Sequence, residues 1–177
     1  TTFVSNANTV LSSVFAQTPY AQYESFFNVY GIQVTSIQSG ADHPRNTSDS
    51  DCASVPAMSV NNYFGSAFDS YGIHRLLVAS NESAMNSVLA SNVPSYDQAV
   101  VLVNTPYYGG AGGTFATFSM HSNAPGLMIH EVGHSFAFLA DEYWAGTQYI
   151  TTNMQRPNFS NNNNPSSVKW SNWSGSN

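Results

Sequence analysis

The sequence predicts an α/β fold in a single domain spanning residues 1–177, and three observations carry that reading. Apolar residues recur at helical spacing near the start of the chain and again from Gly126 to about Leu139. Between them, Ala99-Val100-Val101-Leu102-Val103 is a continuous apolar run bounded by turn residues, the pattern of a buried central strand. The 177 residues, 42% of them hydrophobic and 14% aromatic, supply one core and leave no room for two ordinary domains.

Taken in order, Phe3, Val10, Leu11, Val14 and Phe15 form a helical stripe, which Thr18-Pro19 should end or interrupt before Phe27. Phe27-Asn28-Val29-Tyr30-Gly31-Ile32-Gln33-Val34 alternates and is rich in β-formers, so it reads as a strand. Residues 39–56 are mostly Gly, Asp, Asn, Ser and Pro and read as a long loop. A helix is expected around Ser83 to Ala90 before the central run. A glycine-rich turn, Gly109 to Gly113, follows it, and Thr114 to Met120 alternates again. The tail from about Asn153 is rich in Asn and Ser, although Trp170 and Trp173 suggest that part of it packs.

Composition excludes several functions. Charged residues are only 8%, and the net charge of −6 includes just four basic side chains, Arg45, Arg75, Arg156 and Lys169. No basic patch can form, so no nucleic-acid partner is expected. No apolar run reaches the roughly 18 residues of a membrane span, and no signal-peptide pattern opens the sequence, so a leader would lie outside it. Cys52 is the single cysteine and cannot form an internal disulfide; it reads first as a buried thiol, with an intermolecular bridge as the alternative.

The chemistry concentrates in His130-Glu131-Val132-Gly133-His134. Two His residues four apart share one helix face, one turn above the other. Both imidazoles can then reach one zinc ion at about 2.0–2.1 Å. Glu131 projects beside the metal, where it can take a proton from a metal-bound water and later pass it to a leaving amine. With five His and four Glu in the chain, chance produces such a motif in roughly one sequence of four hundred. Leu127, Met128, Ile129, Val132, Phe136 and Leu139 surround it with apolar residues. Gly133 is expected to let another element approach closely.

A tetrahedral catalytic zinc needs a third protein ligand. Asp141 is the preferred candidate, with Glu142 as the alternative. On a straight helix either would rise about 10 Å beyond His134, so the helix must end near Phe138 or Leu139 and the chain must turn back. His43, His74 and His121 are more distant candidates, each of which reads first as a surface or hydrogen-bonded histidine.

From Phe3 to about Trp170 the sequence resembles the M64 family, the IgA-peptidase-like metallopeptidases. The central match runs from His130 through Ser135-Phe136-Ala137 and Leu139-Ala140-Asp141-Glu142-Tyr143. Further matches are Phe27 to Tyr30, Ser39 to Pro44, Phe68 to Gly72, Tyr96-Asp97, Val103 to Thr105, Tyr108 to Gly110 and Arg156-Pro157-Asn158. The resemblance implies a metzincin-like zincin fold, with a mixed twisted sheet and an active-site helix carrying HExxH. It also implies a zinc endopeptidase, secreted or at the cell surface and of bacterial type. Relatives often carry Gly where this chain has Phe138, and a Gly there would ease the turn toward the third ligand.

By the same resemblance, an edge strand above the active-site helix should pair with the substrate backbone. Thr114 to Met120 is the candidate strand, and Gly110, Gly112, Gly113 and Thr114 are the candidate substrate-binding residues. Met154 is a candidate for the methionine turn beneath the metal, and Tyr143 for a hydroxyl on the developing oxyanion; each also has a plain packing role open to it. The expected function is zinc-dependent endopeptidase action on polypeptide or glycoprotein, by a monomer. The alternative is a catalytically weak peptidase-like domain that binds glycoprotein or glycan.

Overall fold

The computed structural model describes residues 2–143 and 156–173. They form a mixed α/β arrangement with four α-helices and two small sheets. Helix α1 is Thr2–Phe15, and after the interruption at Thr18-Pro19 the short α2, Tyr20–Tyr23, continues into a 3-10 turn at Glu24–Phe26. Val10 and Val14, one helical turn apart, are buried on α1. They pack with Phe118, Ala124 and Leu127 in one core cluster.

Strands β1 (Ser66–Ala67) and β2 (Val78–Ala79) pair antiparallel. Helix α3, Glu82–Asn92, starts on Asn81, whose side-chain oxygen accepts the Ala84 N–H at 3.2 Å. That bond satisfies one of the donors a helix start leaves open. Strands β3 (Val100–Val103), β4 (Gly110–Ala111) and β5 (Ala116–Ser119) form a mixed sheet in the order β3-β5-β4, with β3 parallel and β4 antiparallel to β5. Helix α4, Ala124–Ser135, lies across this sheet, with Pro125 in its first turn where a missing N–H does no harm. Ala124, Leu127 and Glu131 are its buried residues, spaced three and four apart on the sheet-facing side. No described helix is long and apolar enough to cross a membrane.

Several expectations need correction. Residues 27–34 form no strand. No ladder forms along them among the described residues, and Phe27, Val29 and Tyr30 stay exposed, so the alternation does not bury one face against a sheet. Within the Ala99–Val103 run, Val100–Val103 is a strand, but among the described residues it stands at an edge of its sheet. The centre is β5, all four residues of which are buried, so Thr114 to Met120 is not an edge open to another chain. Trp173 is exposed at 78% rather than packed. Met154 lies outside the described residues.

Candidate metal centre

Helix α4 carries His130, Glu131 and His134. Successive helical residues are turned by about 100°, which separates the three side chains into two roles. Glu131 falls on the stripe that packs against the sheet and is buried, while His130 and His134 face an open cleft. The sheet can come this close only because it presents glycines. A Cβ on Gly110 would lie 2.5 Å from Glu131 Oε1, and one on Gly112 would lie 2.4 Å from His134 Cβ. Neither distance is tolerable between non-bonded heavy atoms, so Gly110 and Gly112 set the spacing between β4 and α4. Gly133 does not play the expected part: a Cβ there would make only ordinary contact with Leu139, at 3.6 Å.

After Ser135 the helix stops and the chain reverses. Phe136 N–H still reaches the Val132 carbonyl at 2.8 Å, and Leu139 N–H donates back to the Gly133 carbonyl at 3.0 Å. Between them Phe138 adopts φ 56°, the left-handed conformation that ends many helices and that normally selects glycine. The turn the sequence required is therefore made at the position where a glycine was expected, by a phenylalanine.

That reversal returns Asp141 to the histidines. His130 Nε2 and His134 Nε2 are 3.2 Å apart, and Asp141 Oδ1 lies 3.1 Å from the first and 3.3 Å from the second. Ligands on a tetrahedral zinc, with bonds of about 2.0–2.1 Å, stand about 3.3–3.4 Å apart. The three atoms thus outline one face of such a tetrahedron. The proton arrangement agrees. His134 Nδ1 lies 2.8 Å from the Leu139 carbonyl and donates to it, so Nε2 keeps its lone pair for the centre. Burial, first, and then His134 push the His130 pKa down, which keeps its imidazole neutral and able to bind a cation. These residues fit a divalent metal ion.

Glu142 does not join them. Its Oε1 accepts from Asn158 Nδ2 at 2.7 Å, and the same Asn158 amide brackets Ala140, accepting its N–H and donating to its carbonyl, both at 2.8 Å. Asn158 thus holds the backbone on the N-terminal side of Asp141. Sequence reasoning matched Arg156-Pro157-Asn158 as a piece of the family pattern but gave it no role, because a contact across 18 positions has no local signature.

Glu131 is raised to about 7, chiefly by burial, with the Gly112 N–H among the influences that oppose the rise. Tyr143 stacks on His130 at 6.1 Å between ring centroids, and the Arg75 guanidinium lies 5.2 Å over its ring. Burial and then Asp141 push the Tyr143 pKa up, so its hydroxyl remains a proton donor. Arg75, not singled out from sequence, also gives its carbonyl to the Gly110 N–H at 3.1 Å, and Leu77 N–H reaches the Gly110 carbonyl at 3.2 Å. These bonds cover the outer side of β4 at Gly110. Gly112, Gly113 and Thr114 beyond it are exposed and line the cleft.

The cleft has a volume of about 1070 Å³ and gathers His130, Glu131, His134, Asp141, Tyr143 and Arg75. A second cavity, of about 430 Å³ between α1 and β3, is lined without one titratable side chain, so the chemistry belongs to the first. His121 does not line it but packs behind its wall, edge-on to Tyr108, with its Nδ1 accepting the Asn123 N–H. His43 and His74 also lie elsewhere, in a cluster with Cys52 and Asp69.

The model of the IgA peptidase M64 family matches residues 1–177, the whole chain, and the chain belongs to that family. The family is one of metallopeptidases, which places the protein among hydrolases of peptide bonds with polypeptide substrates. No curated protein matches the chain.

Proposed function

We propose that this protein is a zinc-dependent endopeptidase with a metzincin-like zincin fold, α4 being its active-site helix and residues 1–177 one catalytic domain. The observation that carries the reading is the triangle of donor atoms from His130, His134 and Asp141, with the buried Glu131 carboxyl beside it. His130, His134 and Asp141 hold the metal. When bound, the ion supplies Lewis acidity, polarising the scissile carbonyl and acidifying the attacking water.

The chain's own residues do the rest. Glu131 accepts the proton of that water and returns it to the leaving amine. Burial raises its carboxyl to about 7, close to neutral pH, where one group can both take up and return a proton. The Gly112 N–H steadies the carboxylate. Tyr143, kept protonated and anchored by Arg75, offers its hydroxyl to the carbonyl oxygen as negative charge develops. Substrate backbone runs along the exposed Gly112-Gly113-Thr114 rim, with Gly110 contributing the close approach of β4 rather than a free edge. Digestion of a peptide library tests the reading: cleavage is expected with zinc and none after chelation, and chelator-resistant cleavage would refute it.

A further inference from the structure

A second group of metal-binding side chains converges away from the cleft, and it is the more deeply buried of the two. His43, Cys52, Asp69 and His74 are 0%, 4%, 4% and 5% exposed. One donor atom from each lies within 4.8 Å of all the others. His43 Nε2 stands 3.5 Å from Cys52 Sγ and 3.4 Å from Asp69 Oδ1. Cys52 Sγ stands 3.8 Å from the same carboxylate oxygen, and His74 Nδ1 2.8 Å from it.

A tetrahedral zinc with bonds of about 2.3 Å to sulfur and about 2.0–2.1 Å to nitrogen and oxygen spaces its donors about 3.3–3.6 Å apart. Three of the four distances agree to within a few tenths of an ångström. The His74–Asp69 contact has the length of an N–H···O bond and would open by about 0.5 Å as the imidazole turns a lone pair to the ion. Neighbouring groups already orient the donors. His43 Nδ1 donates to the Pro56 carbonyl at 2.8 Å, which turns Nε2 toward the sulfur and the carboxylate. A carbonyl partner of this kind is what a metal-bound histidine normally has. The Asn46 N–H holds Asp69 Oδ2 at 3.1 Å, and Oδ1 faces the cluster.

The surrounding chain has a use for such an ion. Residues 43–74 contain little regular structure: 3-10 turns at Ser50–Ser54 and Ser70–Gly72, and the two-residue β1. Asp69 and Tyr71 hold φ of 61° and 56°, a conformation that costs a non-glycine residue energy and has to be held by its surroundings. Asp69 Oδ1 stands within reach of His43 Nε2, Cys52 Sγ and His74 Nδ1 at once, so a single carboxylate oxygen sits at the meeting point of the other three donors.

We propose that His43, Cys52, Asp69 and His74 form a second, structural zinc site that ties residues 43–74 together. Four protein donors and the lack of exposure leave no open position for a substrate, which separates it from a catalytic site. It also braces the cleft, because His74 precedes Arg75, whose carbonyl holds Gly110 and whose guanidinium lies over Tyr143.

The test is metal content and spectroscopy on the chain prepared under reducing conditions, equilibrated with zinc or cobalt, and desalted. The parent should carry two zinc ions per chain, and His130→Ala/His134→Ala should carry one. Cobalt-loaded parent should show a thiolate-to-cobalt charge-transfer band, which only Cys52 can supply. The band should persist in the double variant and vanish on Cys52→Ser. One metal per chain that gives no thiolate band and is lost in the double variant would overturn this proposal and leave the peptidase reading intact. One metal with the band, indifferent to the double variant, would retain this site and sink the assignment of His130 and His134.

Discussion

Phe138 is a residue where the structure and the local conformational preference openly disagree. At φ 56° it occupies the left-handed region, which costs a residue with a Cβ about 1–2 kcal/mol. Replacing it with glycine removes that cost and returns about 0.5–1 kcal/mol through the greater freedom of the unfolded chain. The Phe138 side chain is 61% exposed, so little apolar burial is lost. The balance favours Phe138→Gly by about 0.5–1 kcal/mol, a rise in Tm of roughly 1–4 °C for a chain of this size. Phe138→Ala is the control: it removes the same ring and keeps the strain, so it should gain nothing. Unfolding in urea with chelator present separates backbone stability from metal linkage. Zinc affinity should hold or improve in the glycine variant, because the turn that returns Asp141 is relaxed. A glycine variant no more stable than the alanine one would refute the argument that the turn is strained.

The remaining predictions rest on neighbouring contacts. Gly112→Ala forces a Cβ to within 2.4 Å of His134 Cβ; it should weaken zinc binding about 10–100-fold, as displacing a supporting group does, measured by competition with a chelating dye. Asp141→Ala should weaken zinc binding more than Glu142→Ala, and Asn158→Ala, which frees the Ala140 backbone, should fall between them in the same assay. In the metal-free chain, burial holds Glu131 at about 7 against 4.5 in the unfolded chain, so ionising it opposes folding. That penalty is absent below about pH 4.5, grows as pH rises to about 7, and then stays constant. Glu131→Gln should therefore match the parent near pH 4 and exceed its stability by about 3 kcal/mol above pH 8, as read from urea unfolding at the two pH values.

Periodicity was informative where a helix buries a stripe of its own. Val10 and Val14 on α1, the α3 span, and the α4 segment from Leu127 to His134 all follow from spacing that any window of the sequence displays. It failed where the outcome depended on a distant partner. Residues 27–34 alternate as well as β5 does, yet only β5 finds neighbours on both sides. The candidate site divided in the same way. His130, Glu131 and His134 fall within five residues of one helix, and the need for a turn before Asp141 follows from helical rise alone. The Asn158 clamp, the Arg75 wall and the gathering of Cys52 with His43, Asp69 and His74 join residues through space, and nothing local in the chain announces them. Gly110 and Gly112 were legible as part of a glycine-rich turn beside the substrate, but the side chains that pack against them, those of Glu131 and His134, were not.

The central claim is that Glu131 moves protons beside a zinc ion held by His130, His134 and Asp141. The most direct test compares Glu131→Gln with the parent on one good peptide substrate, with zinc content measured in the same preparations. The substitution keeps the shape of the side chain and removes its base, and it touches no metal donor. Zinc should remain bound at the parent's stoichiometry, the peptide should still bind, and kcat should fall by at least about 10²–10⁴-fold. A Glu131→Gln enzyme that keeps its zinc and cleaves the peptide as fast as the parent would contradict the account.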